Sequence, residues 1–291
     1  MKSDRPPAPD SGIPDIPQRK RPPSLSEFRK VVLNHYRDHG RDLAWRRTTD
    51  PYHILVSEIM LQQTQAERGS VKYPAFIDAF PDFPTLAGAP LSDVLAAWQG
   101  MGYNRRAISL QKCARQVVEE YDGILPQDPG VLATFPGIGR ATAASICAFA
   151  FNMPVVFIET NIRRVFIHFF FQDDKPVHDA DILPLVTRAL YRKNPRVWYG
   201  ALMDFGSALK KTIPNPNRRS THYVRQSAFE GSDREIRGQI IRVLLECPGQ
   251  DTDGLIRKTG GERDRVLRIL GILEKEGFLV ITGTGITIRS R

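Results

Sequence analysis

Between residues 25 and 209, apolar side chains recur three and four positions apart, the spacing of one face of an α-helix. The pattern predicts helices over 25–37, 51–65, 91–98, 106–121 and 182–193, and a helix of small residues over 141–151. Turn signals separate them: Pro81-Asp82-Phe83-Pro84, Gln99-Gly100-Met101-Gly102 and Gln127-Asp128-Pro129-Gly130. No alternating run marks a strand in this stretch, which reads as all-α. The C-terminal pattern differs. Helices are expected over 234–247, 252–259 and 263–276, then two short apolar runs, starting at Phe278 and Ile286, around Gly283-Thr284-Gly285, a hairpin signal. Three helices and a hairpin fit a winged-helix-like unit. Its third helix would enter a major groove and offer Arg263, Arg265 and Arg268 to phosphates, although such units also serve protein–protein contact.

Four segments follow. Residues 1–24, rich in proline and charge and containing Arg19-Lys20-Arg21, read as a disordered tail. Residues 25–209 form the helical core. Residues 210–231 are a polar connector crowded with Lys210, Lys211, Arg218, Arg219 and Arg225, and 232–291 are the winged-helix-like unit. The 291 residues, 41% hydrophobic, suffice for a good core and two domains. A net charge of +9 calls for an anionic partner, nucleic acid before a membrane surface. No apolar run is long enough to span a bilayer and no signal-peptide pattern is visible, so the expectation is a cytoplasmic, nucleoid-associated protein. Cys113, Cys147 and Cys247 lack paired spacing and read as buried thiols rather than disulfide partners or metal ligands.

Chemistry concentrates in two places. In Ser57-Glu58-Ile59-Met60-Leu61-Gln62-Gln63-Thr64, Glu58 lies four residues after Ile54 and three after Leu55, on the apolar stripe of its helix. A carboxyl there is expected to have a raised pKa and to serve as a general acid; a buried Glu paired to an Arg is the alternative. Next, Phe135-Pro136-Gly137-Ile138-Gly139-Arg140 places two glycines in a turn before the small-residue helix. Its N–H groups can approach an anion, the helix N-terminus adds positive partial charge, and the arrangement is the helix-hairpin-helix pattern that grips DNA phosphates. Downstream, Glu159-Thr160-Asn161-Ile162-Arg163-Arg164 puts Glu159 at or just before a helix N-terminus, where the dipole favours its ionised form. Burial would protonate one carboxyl and a helix end would ionise the other, a division used in acid/base chemistry.

With these motifs the chain resembles the helix-hairpin-helix superfamily of base-excision DNA glycosylases, and within it the adenine-DNA glycosylase family. The resemblance runs from about Trp45 to Leu209, over half the chain, and is carried by Trp45-Arg46, Asp50-Pro51-Tyr52, 57–64, 98–103, 135–142, 161–165 and 201–206. The resemblance implies two helical subdomains with a cleft between them. It implies that Glu58 protonates adenine N7, that Glu159 stands where the family has the aspartate that stabilises an oxocarbenium-like sugar, and that Asn161 neighbours it. Trp45, Arg46, Leu61 and Asp204 match the pocket for the flipped base. Gln63 and Tyr103 match side chains inserted into the duplex, and Gln62, Gly137, Gly139 and Arg140 complete the expected DNA contacts. Ala141 stands where bifunctional relatives carry a nucleophilic lysine, so no strand-cleaving (AP lyase) activity is expected. The implied partner is duplex DNA carrying a mismatch or an oxidised base, bound by a monomer.

Three departures stand out. Most relatives carry four cysteines for an iron–sulfur cluster after the stretch matching 201–209, but residues 210–231 have none; no cluster, metal or other cofactor is expected, and Arg218, Arg219 and Arg225 are expected to contact DNA instead. The expected aspartate is Glu159. The C-terminal unit does not match the Nudix-like domain with which typical relatives recognise 8-oxoguanine. The expected activity is excision of adenine opposite guanine or 8-oxoguanine; the rivals are a thymine/uracil mismatch glycosylase of the same fold and a non-catalytic DNA-binding regulator.

Overall fold

The computed structural model describes residues 22–173, 175–225 and 228–290. Among these the helices, in chain order, are α1 (Leu25–His39), α2 (Pro51–Leu61), α3 (Ala66–Ala79), α4 (Phe83–Gly88), α5 (Leu91–Ala97), α6 (Arg105–Glu120), α7 (Pro129–Leu132), α8 (Arg140–Phe151), α9 (Thr160–Phe170), α10 (Asp179–Ala189), α11 (Pro195–Thr212), α12 (Asp233–Glu246), α13 (Thr252–Thr259) and α14 (Arg263–Lys275). The two strands are β1 (Leu279–Thr282) and β2 (Gly285–Ile288). The chain divides into two compact units, one holding residues up to Leu43 with Arg140–Arg225, the other Ala44–Gly139 with the residues after Gln226. No described helix is long and apolar enough to cross a membrane.

The first unit is built on aromatic packing. Phe28 of α1 meets Phe166, Phe169 and Phe170 of α9 edge-on at 5.0–5.1 Å between ring centres, and Trp198 of α11 at 5.7 Å. α1 starts in a capping box, with the Ser24 hydroxyl accepting from the Glu27 N–H and the Glu27 carboxylate accepting from the Ser24 N–H. Ser24, placed by its sequence at the end of the tail, is therefore part of the core; residues 1–21 lie outside the described residues. α11 approaches α9 at Gly206, where a Cβ would lie 2.6 Å from both the Cβ and the carbonyl oxygen of Asn161. The chain after α11 folds back on α9: the Asn217 side chain donates to the Thr160 carbonyl (2.8 Å), and Ser220 bridges Val177.

In the second unit α2 buries Ile54, Leu55, Val56, Ile59 and Met60. α6 packs on α4, and buried Gln111 donates to the carbonyls of Leu86 and Ala89. The last three helices enclose Ile240, Leu255, Val266, Leu273 and Phe278, and β1 pairs antiparallel with β2 from Leu279↔Ile288 to Thr282↔Gly285. α12 packs against α5. Arg105 at the start of α6 and Arg237 of α12 both pair with Glu276.

Several expectations change. The helix read over 51–65 stops at Leu61, because Gln63 turns into the left-handed region at φ 54°. α10 begins at Asp179, three residues before the expected start, behind a capping box at His178. Cys113 and Cys147 are buried as expected, but Cys247 is exposed, because α12 ends just before it. The arginines of α14 form surface pairs with carboxylates: Arg263 pairs with Asp253, and Arg265 and Arg268 share Asp233, each at 2.7 Å. Three guanidinium charges thus meet two carboxylates, so their charge is only partly matched within the segment.

Candidate functional site

α2 is held at its start by Asp50, whose carboxylate accepts from the N–H groups of Tyr52 and His53 (2.8 and 3.0 Å), with Pro51 at the first helical position. Glu58 lies in the last turn, half-buried, between buried Ser57 and Ile59. Two of the expected pocket residues share a wall with α3. Trp45, in the short 3₁₀ turn Ala44–Arg46, meets Tyr73 edge-on at 5.6 Å. A Cβ on Gly69 would lie 3.0 Å from Leu61 and 3.5 Å from Trp45, so a glycine is what lets these two side chains close over α3. Arg46 is half-buried beside them.

The end of α2 is organised by a residue the sequence did not single out. Arg106, on α6 and 8% exposed, aims its two terminal nitrogens at the carbonyls of Ile59 (3.1 Å), Met60 (2.8 Å) and Gln62, the Thr64 hydroxyl (3.0 Å), and the carbonyls of Met101 (3.2 Å) and Gly102 (3.1 Å). One guanidinium thus caps the C-terminus of α2, where carbonyls lack helical partners, and ties it to the loop before α6. Burial pulls its pKa down to about 10. Gln63 and Tyr103, both expected to enter the duplex, lie on these two tied segments. Both have left-handed backbones, φ 54° and 47°, a conformation that non-glycine residues seldom adopt and that clusters at functional sites. Both are exposed.

The hairpin turn belongs to the same unit as far as Gly139. Gly137 has φ 76°, and a Cβ there would sit 2.7 Å from the Ser109 Cβ; Gly139 has open space around it. The turn is braced from behind: Gln62 donates its side-chain amide to the Gly137 carbonyl (3.1 Å), and the Cys113 thiol to that of Pro136 (3.1 Å). Gln62, expected to touch DNA, therefore also supports the hairpin. Burial pushes the Cys113 thiol up to about 12, leaving it inert at neutral pH. Arg140 and Ala141, at the start of α8, are exposed.

In the first unit Glu159 is the N-cap of α9. Its carboxylate accepts from the N–H groups of Asn161 (2.7 Å) and Ile162 (2.8 Å) and from the Asn161 amide (3.2 Å). Asn161 in turn accepts from buried Arg164 (2.7 Å), which also donates to the Gly206 carbonyl (2.7 Å) and to Asn215 (3.1 Å). The helix end was expected to hold Glu159 ionised. The net effect runs the other way: burial pushes its pKa up, and the two backbone donors and the charges of Arg164 and Arg163 only partly offset it. Asp204, expected in the base pocket, is buried and accepts from Arg41 through both oxygens, from the Arg41 backbone N–H (2.8 Å) and side chain (2.7 Å). Among the connector arginines, Arg219 donates to the Phe171 carbonyl and to Asp173, bracing the end of α9, while Arg218 and Arg225 are exposed. The roles of Arg164, Asn215 and Asn217 were not visible in the sequence, because partners such as the Gly206 and Thr160 carbonyls are far along the chain.

Residues 56–181 match the HhH-GPD superfamily base excision DNA repair protein family. The adenine DNA glycosylase of Mycolicibacterium smegmatis is 32% identical over 293 residues, spanning 89% of this chain and 98% of its own length. Among solved structures, a thermostable thymine-DNA glycosylase superposes with a TM-score of 0.55 at 26% identity, covering 64% of this chain and 88% of that one. A non-covalent endonuclease III–DNA complex gives 0.55 at 18% identity over 66% and 90%, a likeness of fold.

Proposed function

Because the chain belongs to the helix-hairpin-helix base excision repair superfamily, and within it to the adenine DNA glycosylase family, we propose that it binds duplex DNA as a monomer, everts a mispaired adenine opposite guanine or 8-oxoguanine, and hydrolyses its N-glycosidic bond. A base in the stack cannot be reached, so the enzyme must unstack it and fill the gap. Gln63 and Tyr103 do this, carried on loops that Arg106 ties together. The Gly137–Gly139 turn, Arg140, Arg218 and Arg225 hold the backbone phosphates. Trp45, Arg46 and Leu61 receive the base, and Asp204 supports the site through Arg41.

Glu58 donates a proton to adenine N7, which makes the purine a neutral leaving group. As the bond to the sugar breaks, positive charge grows on the deoxyribose. Glu159 stabilises it: the N–H groups of Asn161 and Ile162 hold the carboxylate in place, and a cation growing beside it favours the ionised form that burial otherwise disfavours. Water then adds to the sugar carbon and hands its proton back to the Glu58 carboxylate, so the products are free adenine and an abasic site and Glu58 is again the acid. With Ala141 where an amine would be needed, no Schiff base forms and the strand stays intact.

An iron–sulfur cluster does not fit this chain. The sequence has three cysteines, none between 210 and 231, and Cys113 is held as a thiol, whereas a cluster of this class needs four thiolates. Asn215, Asn217 and Arg219 support α9 from that region instead.

The observation that carries the reading is Glu58 in the last turn of α2, directly before the cluster that holds Gln63 and Tyr103, two exposed residues with left-handed backbones. A second reading, excision of thymine or uracil opposite guanine, draws on the 26% identity to a thymine-DNA glycosylase structure; a purine, with N7 to protonate, suits Glu58 better. Duplexes carrying each mismatch, treated with protein and then hot alkali, separate the readings. Breaks at adenine support the first and breaks at thymine or uracil the second, while no break in any duplex would leave a non-catalytic DNA-binding protein. Efficient borohydride trapping of a protein–DNA adduct would contradict the hydrolytic route.

A further inference from the structure

Tyr103 lies between two guanidinium groups. Arg106 stands 5.4 Å from its ring centre, and Arg234, at the start of α12, stands 5.6 Å from it. Arg234 also donates from Nη1 to the Tyr103 hydroxyl at 2.7 Å, across 131 positions of sequence. Its other nitrogen donates to the Ala228 carbonyl (3.2 Å), so the fork is aimed rather than loose. The contact belongs to a docked surface: two residues after Tyr103, Arg105 pairs with Glu276, which also binds Arg237, one turn along from Arg234. The C-terminal segment therefore reaches the strained loop at the residue that, in the function proposed above, enters the duplex.

We propose that Arg234 is a positioning residue for Tyr103, so that the C-terminal segment completes the DNA-probing element of the glycosylase. A planar cation favours the face of an aromatic ring. Arg106 fixes the backbone of the loop and lies against the ring; Arg234 lies against the ring and holds the hydroxyl. The ring is thereby oriented before DNA arrives, and less conformational entropy is lost on insertion. The contact at Tyr103 is separate from the three arginines of α14, which share Asp253 and Asp233. The inference rests on the proposed function.

The test is single-turnover excision across enzyme concentrations, with duplex affinity measured by anisotropy, for wild type, Arg234→Ala, Arg234→Lys, Tyr103→Phe and Arg234→Ala/Tyr103→Phe. Arg234→Ala is expected to raise the half-saturating concentration about 5- to 30-fold, the range of one cation–π contact with one hydrogen bond, with the saturating rate within about twofold of wild type. Lysine keeps the charge but not the fork, so Arg234→Lys follows Arg234→Ala. Tyr103→Phe removes only the hydroxyl, and its loss is not additive with that of Arg234→Ala. Additive losses, full rescue by lysine, a loss confined to the saturating rate, or faster excision without Arg234 would each overturn the inference while leaving the glycosylase reading intact. Wild-type protein that neither excises a base nor prefers mismatched duplex would refute that reading and this inference with it.

Discussion

Replacing Arg106 by alanine removes the element that ties the end of α2 to the loop before α6. Its six contacts reach Nη1 and Nη2, which carry four N–H groups, so at least two are shared. Four hydrogen bonds from a charged donor, each worth roughly 1.5 kcal/mol net, contribute about 6 kcal/mol. Against this stands the cost of holding a buried cation: a pKa pulled down to about 10 corresponds to about 3 kcal/mol. The net contribution is roughly 3 kcal/mol. The substitution adds the penalty of buried carbonyls left without donors, about 1 kcal/mol where water cannot reach. Arg106→Ala is therefore expected to lose about 3–4 kcal/mol, a fall in Tm of roughly 6–16 °C for a chain of this size. Lysine offers three donors from one nitrogen and cannot span both loops, so Arg106→Lys should recover less than half of the loss. Urea unfolding followed by circular dichroism measures the stability, and excision in a stable background measures loop order. An Arg106→Ala protein within about 1 kcal/mol of wild type would show that the carbonyls do not depend on the guanidinium, and the account of the two loops would fail.

Three further outcomes follow from the packing. Gly137→Ala, strained by its positive φ and its approach to Ser109, should destabilise the protein by roughly 1–3 kcal/mol and weaken duplex binding, whereas Gly139→Ala meets no neighbour and should fold like wild type; thermal melts and anisotropy compare them. Gly206→Ala should displace Asn161 and hence Glu159, lowering the excision rate more than stability, as seen in parallel kinetics and melts. Arg163 holds the Asp179 carboxyl below its ordinary value, so this pair's stabilisation is full above the ordinary aspartate pKa and lost as pH falls through the lowered one. Asp179→Asn should accordingly be less stable near neutrality, by about 1 kcal/mol or less for a partly exposed pair, and should show a shallower loss of stability below about pH 4; equal slopes for both proteins would exclude the pair.

The helices were legible because burying one face imposes its period on the chain: α1, α2 and α6 follow from apolar spacing alone. α3 was harder, since Pro74 lies within it. The tight turn at Gly137 was also legible, because it depends on a few consecutive residues. Arg106 was not. A basic residue on an amphipathic helix reads as a solvated charge, and its acceptors come from the end of α2 and from the loop before α6. The balance at Glu159 was misread for the same reason: its helix end is visible in sequence, whereas the neighbours that bury it are not. Arg234 shows the limit most clearly, because no local pattern links it to Tyr103.

The most direct measurement is excision of adenine from a mismatched duplex by Glu58→Gln, paired with its affinity for the same duplex. Glutamine keeps the shape and loses the proton, so the account predicts an excision rate lowered by about 100-fold or more with affinity within about twofold of wild type. Turnover at the wild-type rate would remove Glu58 as the acid and with it the proposed chemistry.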